Sequence, residues 1–219
     1  MKRALTLLTG SILFLACNNN ADQVAADSDS AEVENMAEEE SATAALQQSF
    51  PSLFTYLQSQ DSSFAAARFV ESETSDLSSH DSFPLGEEAK AFASYFIYNA
   101  DSSLALDLYS NNYILRQRGG EEVLQRGGPD TEIALLNLKK GTEQRLLFAG
   151  PSISVMDAKW ISPQEIVVAG AEEIDNGKVK PMLWKVNLSD STIQLFSYPD
   201  TVSAKTHVYT EERIKRKGN

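Results

Sequence analysis

The sequence predicts a mainly β protein, an antiparallel meander of about ten strands in two blade-like four-stranded repeats with one N-terminal helix packed on it. From Ala91 onward, short runs of aliphatic and aromatic residues are broken by Gly, Pro, Asn and Asp at intervals of about ten residues, as strands and tight turns require. In Leu104-Ala105-Leu106-Asp107-Leu108 the leucines take alternate places, so one face turns inward and Asp107 is expected on the other. A segment also recurs. Residues 133–144 align with residues 183–194 at an offset of 50, with Asn137/Asn187, Leu138/Leu188, Thr142/Thr192 and Gln144/Gln194 identical. Upstream, residues 98–106 align with residues 160–168 at an offset of 62, and the 12 extra residues of the first copy fit a hairpin around Arg118-Gly119-Gly120-Glu121.

The N-terminus has a different character. Lys2 and Arg3 precede the mostly apolar run Ala4 to Ala16, which is too short for the ~20 apolar residues of a spanning helix and is closed by Asn18-Asn19-Asn20. Residues 1–16 are therefore expected to be a signal peptide. Phe14-Leu15-Ala16-Cys17 places the single cysteine of the chain directly after a small residue, and these four residues resemble the lipobox of bacterial lipoproteins in the looser form found in Bacteroidota. The resemblance implies diacylglycerol on the Cys17 sulfur, cleavage before Cys17 and acylation of the new amine. The expected partner is then a lipid bilayer reached through acylated Cys17, and the expected location is the cell envelope, at the outer membrane. Each buried methylene contributes about 0.8 kcal/mol, so two or three chains hold a protein on a membrane without a protein partner.

Residues 17–43 are expected to form a disordered acidic tether. They carry Asp22, Asp27, Asp29, Glu32, Glu34, Glu38, Glu39 and Glu40, no basic residue and almost no large apolar one, so ordering them would cost more entropy than burial returns. The domain is expected over residues 44–210. Its helix falls within residues 44–60, where Pro51 suits a first turn and Phe50, Leu53, Phe54 and Leu57 share a side. Residues 60–90 read as a long loop with one short element around Phe64 to Val70.

The first repeat spans residues 94–149, with strands at 94–98, 104–109, 113–118, 122–126, 132–138 and 143–148. The second spans residues 152–198, with strands at 155–160, 165–171, 179–187 and 192–198. A further strand is expected at 205–210, followed by a frayed basic tail over 211–219 with Arg213, Lys215, Arg216 and Lys217. Trp160-Ile161-Ser162-Pro163-Gln164-Glu165-Ile166-Val167-Val168 followed by Leu183-Trp184-Lys185-Val186-Asn187-Leu188 resembles one blade of a TolB-type β-propeller. Propellers close with four or more blades, so two such meanders must bury their faces on each other, on the helix or on another subunit.

The formal charge is −12 for the whole chain and falls to −14 once Lys2 and Arg3 leave, which argues against nucleic acid as a partner. No cofactor and no catalytic residue is predicted. His80 and His207 lie in no metal-binding spacing, and neither a Gly-x-Ser-x-Gly elbow nor a His-Glu-x-x-His pair is present. Arg118-Gly119-Gly120 and Arg126-Gly127-Gly128 lack the Lys-Ser or Lys-Thr of a phosphate loop and read as hairpin turns, as does Asp175-Asn176-Gly177. Glu172 and Glu173 are adjacent on a strand and point to opposite faces. Trp160, Trp184 and Tyr198 are the candidate binding residues, as an aromatic platform for a sugar or peptide, with core filling the favoured alternative. The favoured function is a non-enzymatic binding or assembly module with a protein or glycan partner in the envelope. A small envelope hydrolase and a purely structural lipoprotein remain the alternatives.

Overall fold

The computed structural model describes residue 46 and residues 48–77, 81–119, 121–175 and 177–217. Residues 1–43, expected to hold a signal peptide, Cys17 and an acidic tether, and His80 lie outside the described residues.

Helix α1 (Pro51–Gln60) starts on Pro51, whose missing N–H costs nothing in a first turn, and it buries Leu53, Phe54 and Leu57. After it the chain makes a strand that carries no apolar alternation. That strand, β1 (Val70–Asp76), is exposed along its whole length, and β2 (Ser82–Pro84) is likewise exposed. Helix α2 (Glu87–Ala91) leads to a 3₁₀ turn (Ala93–Tyr95) that takes the first two residues of the span where a strand at 94–98 is expected, and the strand that forms is the shorter β3 (Ile97–Tyr98).

The first meander is β3, β4 (Leu104–Asp107), β7 (Thr131–Asn137) and β8 (Thr142–Ala149), with the hairpin β5 (Tyr113–Arg118) and β6 (Glu121–Arg126) inserted between β4 and β7. The second is β9 (Ile153–Trp160), β10 (Glu165–Asp175), β11 (Lys178–Asn187) and β12 (Thr192–Ser197). The two-residue strand β13 (Val202–Ser203) pairs with β11. Both expected four-stranded repeats are present. The Asn137–Thr142 turn matches the Asn187–Thr192 turn, and in both the Asn Oδ1 accepts backbone N–H bonds, from Lys140 at 3.0 Å and from Ser189 at 2.9 Å. Each turn also needs a residue at positive φ, supplied by Gly141 (63°) in one copy and Ser191 (54°) in the other.

Each meander gains a fifth strand from the segment expected to be a loop. β2 pairs with β8 and β1 with β12, and just beyond these pairs Leu85 N–H donates to Gly141 O at 2.9 Å and Leu77 N–H to Ser191 O. Glu71, Glu73 and Asp76 on exposed β1 place charge along this outer edge, which discourages pairing with another chain.

The two sheets bury their faces on each other. One cluster joins Ala105, Leu106, Ile133 and Leu136 of the first sheet to Ala158, Ile166, Val168, Trp184 and Val186 of the second. The opposite face of the second sheet, through Val167, Ala169, Ala171, Leu183 and Phe196, packs on Leu53, Phe54 and Leu57 of α1 and on Phe64, Phe69 and Tyr198. The second sheet is thus the middle layer, which is why Ile166-Val167-Val168-Ala169 is apolar at every position rather than at alternate ones.

Two expectations are corrected. Residues 206–217 form helix α3 (Thr206–Lys217) rather than a strand and a frayed tail, because Tyr209, Thr210 and Arg213 recur on one helical side and are all buried. Asp107 does not face water; it is 1% exposed, and its Oδ1 accepts from Tyr109 N–H at 2.8 Å and Ser110 N–H at 2.9 Å. The matching residue of the second copy is Ala169, which has no such oxygen, and there β10 runs straight on to Asp175. Asp107 is where β4 stops and the inserted segment begins.

Candidate functional site

The inserted hairpin has a ladder of its own and joins neither large sheet. Its base is tied down by Asn112, 6% exposed, whose Nδ2 donates to Leu108 O and Glu132 O, both at 2.7 Å. Asn112 Oδ1 accepts from Glu132 N–H at 2.8 Å, so one side chain supplies bonds that a neighbouring strand would give to the start of β7. In the second copy β10 ends at Asp175 and β11 begins at Lys178, which pair with each other, so nothing is inserted there.

Between this hairpin, α3 and β9 lies a cleft of about 890 Å³. Its size falls within the ~300–1,000 Å³ of small-molecule sites. Leu108, Val123, Leu124, Val155, Met156 and Ile214 make its apolar walls. Tyr95, Tyr109 and Tyr113 run along it as an edge-to-face ladder, with ring centres 5.8 and 5.6 Å apart. Arg126 from the hairpin and Arg213 and Lys215 from α3 bring positive charge, and Glu211 is the one carboxylate among the described lining residues.

Arg213 holds the cleft together. Its Nη2 lies 2.6 Å from Asp157 Oδ1 on β9, and its Nη1 donates to the Tyr109 hydroxyl. Side chains on both sides of the ion pair are largely buried, 10% and 19% exposed, so the pair ties α3 to the middle sheet out of reach of most water. Tyr209 also donates to Asp157 Oδ2, at 3.4 Å. Burial pushes the Tyr109 phenol up from 10.0 to about 12, with Arg213 opposing that rise and Asp157 adding to it. Tyr113 is raised as well, again by burial first.

Below pH ~10 folded and unfolded chains both hold these protons, and the contribution is fully present. Between about pH 10 and pH 12 the unfolded chain ionises first and stability falls, by on the order of 2–3 kcal/mol for Tyr109 alone. Denaturant midpoints measured across that window should drop steeply for the native chain and less for Tyr109→Phe. Equal slopes for the two proteins would show that Tyr109 is not the group responsible.

The candidate aromatic residues fall elsewhere. Tyr198 is fully buried on the α1 side of the second sheet, stacked on Phe64 with centres 5.0 Å apart, and its hydroxyl accepts from Ala65 N–H at 3.1 Å. Trp184, 6% exposed, lies on the opposite face between the sheets. Trp160 is half-buried, and its indole N–H donates to Ile97 O at 2.8 Å, linking β9 to β3. Three residues divided between two faces do not make one platform; each fills or ties the core, and none lines the cleft.

His207 is exposed at the cleft margin. Among the described residues no group of three or more His, Cys, Asp and Glu side chains is placed to hold a metal ion. Glu173 accepts from Thr206 Oγ1 at 3.2 Å, whereas Glu172 stands opposite Lys180 on β11, so the adjacent pair does not converge. Gly119 at φ 65° makes the β5–β6 turn, but Gly127 and Gly128 form the exit from the hairpin toward β7 rather than a second hairpin turn. Tyr95, Tyr109 and Tyr113 were not candidates from the sequence, while Arg126 reads there as part of a hairpin turn and Arg213 as part of a frayed basic tail. The one sequence signal for them is the excess of 12 residues that interrupts the first repeat.

Comparison of the chain with protein-family models, curated proteins and solved structures finds no match.

Proposed function

We propose that this chain is a lipid-anchored envelope protein, held on the outer membrane through acylated Cys17, and that its domain is a non-enzymatic binding module whose ligand site is the cleft beside α3. The observation that carries the binding reading is the break in repeat symmetry. Two meanders share register, turns and outer strands, and the copy that departs does so by inserting the hairpin that walls an 890 Å³ cleft. A packing role alone gives no reason for the hairpin to stand apart from both sheets with Val123 40% exposed toward that space. Tyrosine rings and arginine suit recognition, since both combine large contact area with hydrogen-bonding edges. The anchor reading is supported by Lys2, Arg3, the short apolar run and Cys17.

The anchor is tested by mass spectrometry of the native protein, which should begin at Cys17 and carry thioether-linked diacylglycerol. An unmodified thiol or another starting residue removes that half of the proposal. For the cleft, a photo-reactive amino acid at Val123 should give adducts in native envelopes that the same group at Phe83, 59% exposed on β2, does not. No adduct at either position, together with turnover of a glycan, peptide or ester panel by the purified chain, would favour the hydrolase instead.

A further inference from the structure

The charge of the cleft is opposite to that of the protein. The whole chain carries −12, yet the charged lining residues are Arg126, Arg213 and Lys215 against Glu211. Arg213 is already neutralised by Asp157, which leaves Arg126 on the hairpin and Lys215 on α3 as exposed cations on two different elements bordering the same space. Arg126 is held by its own loop, donating from Nε to Gly128 O at 3.3 Å and from Nη2 to Pro129 O at 3.2 Å, so its guanidinium is positioned before any ligand arrives. The same cleft has apolar walls from Leu108, Leu124, Met156 and Ile214.

We infer that the cleft takes an amphipathic organic anion, a molecule with one carboxylate and a hydrocarbon body, the carboxylate held between Arg126 and Lys215 and the body laid along Leu124, Met156 and Ile214. This rests on the reading of the cleft as the ligand site and names the chemistry of what enters it. A neutral sugar would use the tyrosine edges but leave the two cations and the apolar wall without function. A polyanion would meet repulsion once it extended beyond the cleft, since residues 44–219 carry 23 acidic against 17 basic side chains. A small single anion with an apolar body matches all three features, because field lines converge in a concave, low-dielectric site and the surrounding negative charge acts mainly at longer range.

Three probes separate the contributions: octanoate, octanol and acetate, titrated into the mature chain by calorimetry with NMR mapping of the cleft. Octanoate should bind at least ten times more tightly than either octanol, which lacks the charge, or acetate, which lacks the body. Arg126→Gln with Lys215→Gln should reduce octanoate affinity about tenfold and leave octanol unchanged, and both exposed sites permit folding. Val123→Trp should block octanoate entry. Equal binding of octanol and octanoate, both blocked by Val123→Trp, would overturn the anion assignment while leaving the cleft as a binding site. Binding that Val123→Trp does not affect would place the ligand elsewhere and overturn both readings. No binding of octanoate would overturn the inference alone, since adducts from Val123 in envelopes report on the cleft independently.

Discussion

Replacing Arg213 by Met is expected to cost about 3–5 kcal/mol, the range for removing one partner of a buried ion pair. The loss comes less from the missing attraction than from what remains. Asp157 is left without its cation at a position 19% exposed, where the Tyr209 hydroxyl and the Ala158 N–H donate to its oxygens. The Tyr109 hydroxyl loses its donor at the same time. For a domain of this size the midpoint of thermal unfolding should fall by roughly 6–20 °C. Adding Asp157→Asn removes the stranded charge, and the double variant should recover a substantial part of the loss, because two neutral groups of similar shape cost less than one unpaired ion. Strictly additive losses would mean that the two side chains do not act as a pair. Since α3 forms one wall of the cleft, the single variant should also weaken ligand binding beyond its effect on folding, while Arg68 and Asp200, a pair far more open to water, should tolerate the same treatment with a much smaller loss.

The second large effect concerns the seam between the sheets. Trp184→Ala should lose about 3–5 kcal/mol, the cost of deleting a buried large aromatic and leaving space that its neighbours fill only in part. Trp184 lies against the backbone of Gly170 so closely that a Cβ there would stand 2.8 Å from its ring carbon Cζ3 and 2.7 Å from the carbonyl oxygen of Ser154 on β9. Gly170→Ala alone should therefore cost about 1–3 kcal/mol through overpacking. In a double-mutant cycle the two changes should be less than additive, since the new methyl group no longer meets the ring once the ring is gone. The remaining clash is with the β9 backbone, which cannot move without disturbing its pairing to β10. Full additivity measured by denaturant unfolding would show that ring and glycine do not constrain each other.

Much of the fold was legible because it is written in local patterns. Asn137-Leu138 and Asn187-Leu188 mark the same turn in both copies, and the turn chemistry is local: an Asn oxygen capping nearby N–H groups and one residue at positive φ. The run Ile166-Val167-Val168-Ala169 likewise shows its β character on its own. Strand β1 was not legible, because Val-Glu-Ser-Glu-Thr-Ser-Asp buries nothing and reads as loop. It is a strand only because β12, more than a hundred residues later, offers an open edge for its backbone, and the pairing runs from Val70–Ser197 to Asp76–Thr192. Helix α3 was missed for a related reason. Thr206-His207-Val208-Tyr209-Thr210 has β-favouring residues, and the helical spacing becomes visible only when Tyr209 and Arg213 find Asp157 to face.

By itself the sequence determined the composition of the domain, its repeated unit and the turns that join its strands. Tertiary structure decided how the two meanders stack, which edges β1 and β2 complete, and that the interruption of the first copy becomes the wall of a cleft. Local patterns act through hydrogen bonds and side-chain spacing within a few residues, and these survive in any context. A cleft arises from surfaces far apart in the chain, here the hairpin at 113–126 and the helix at 206–217, and a buried contact such as Arg213 with Asp157 and Tyr109 has no spacing in the sequence that announces it.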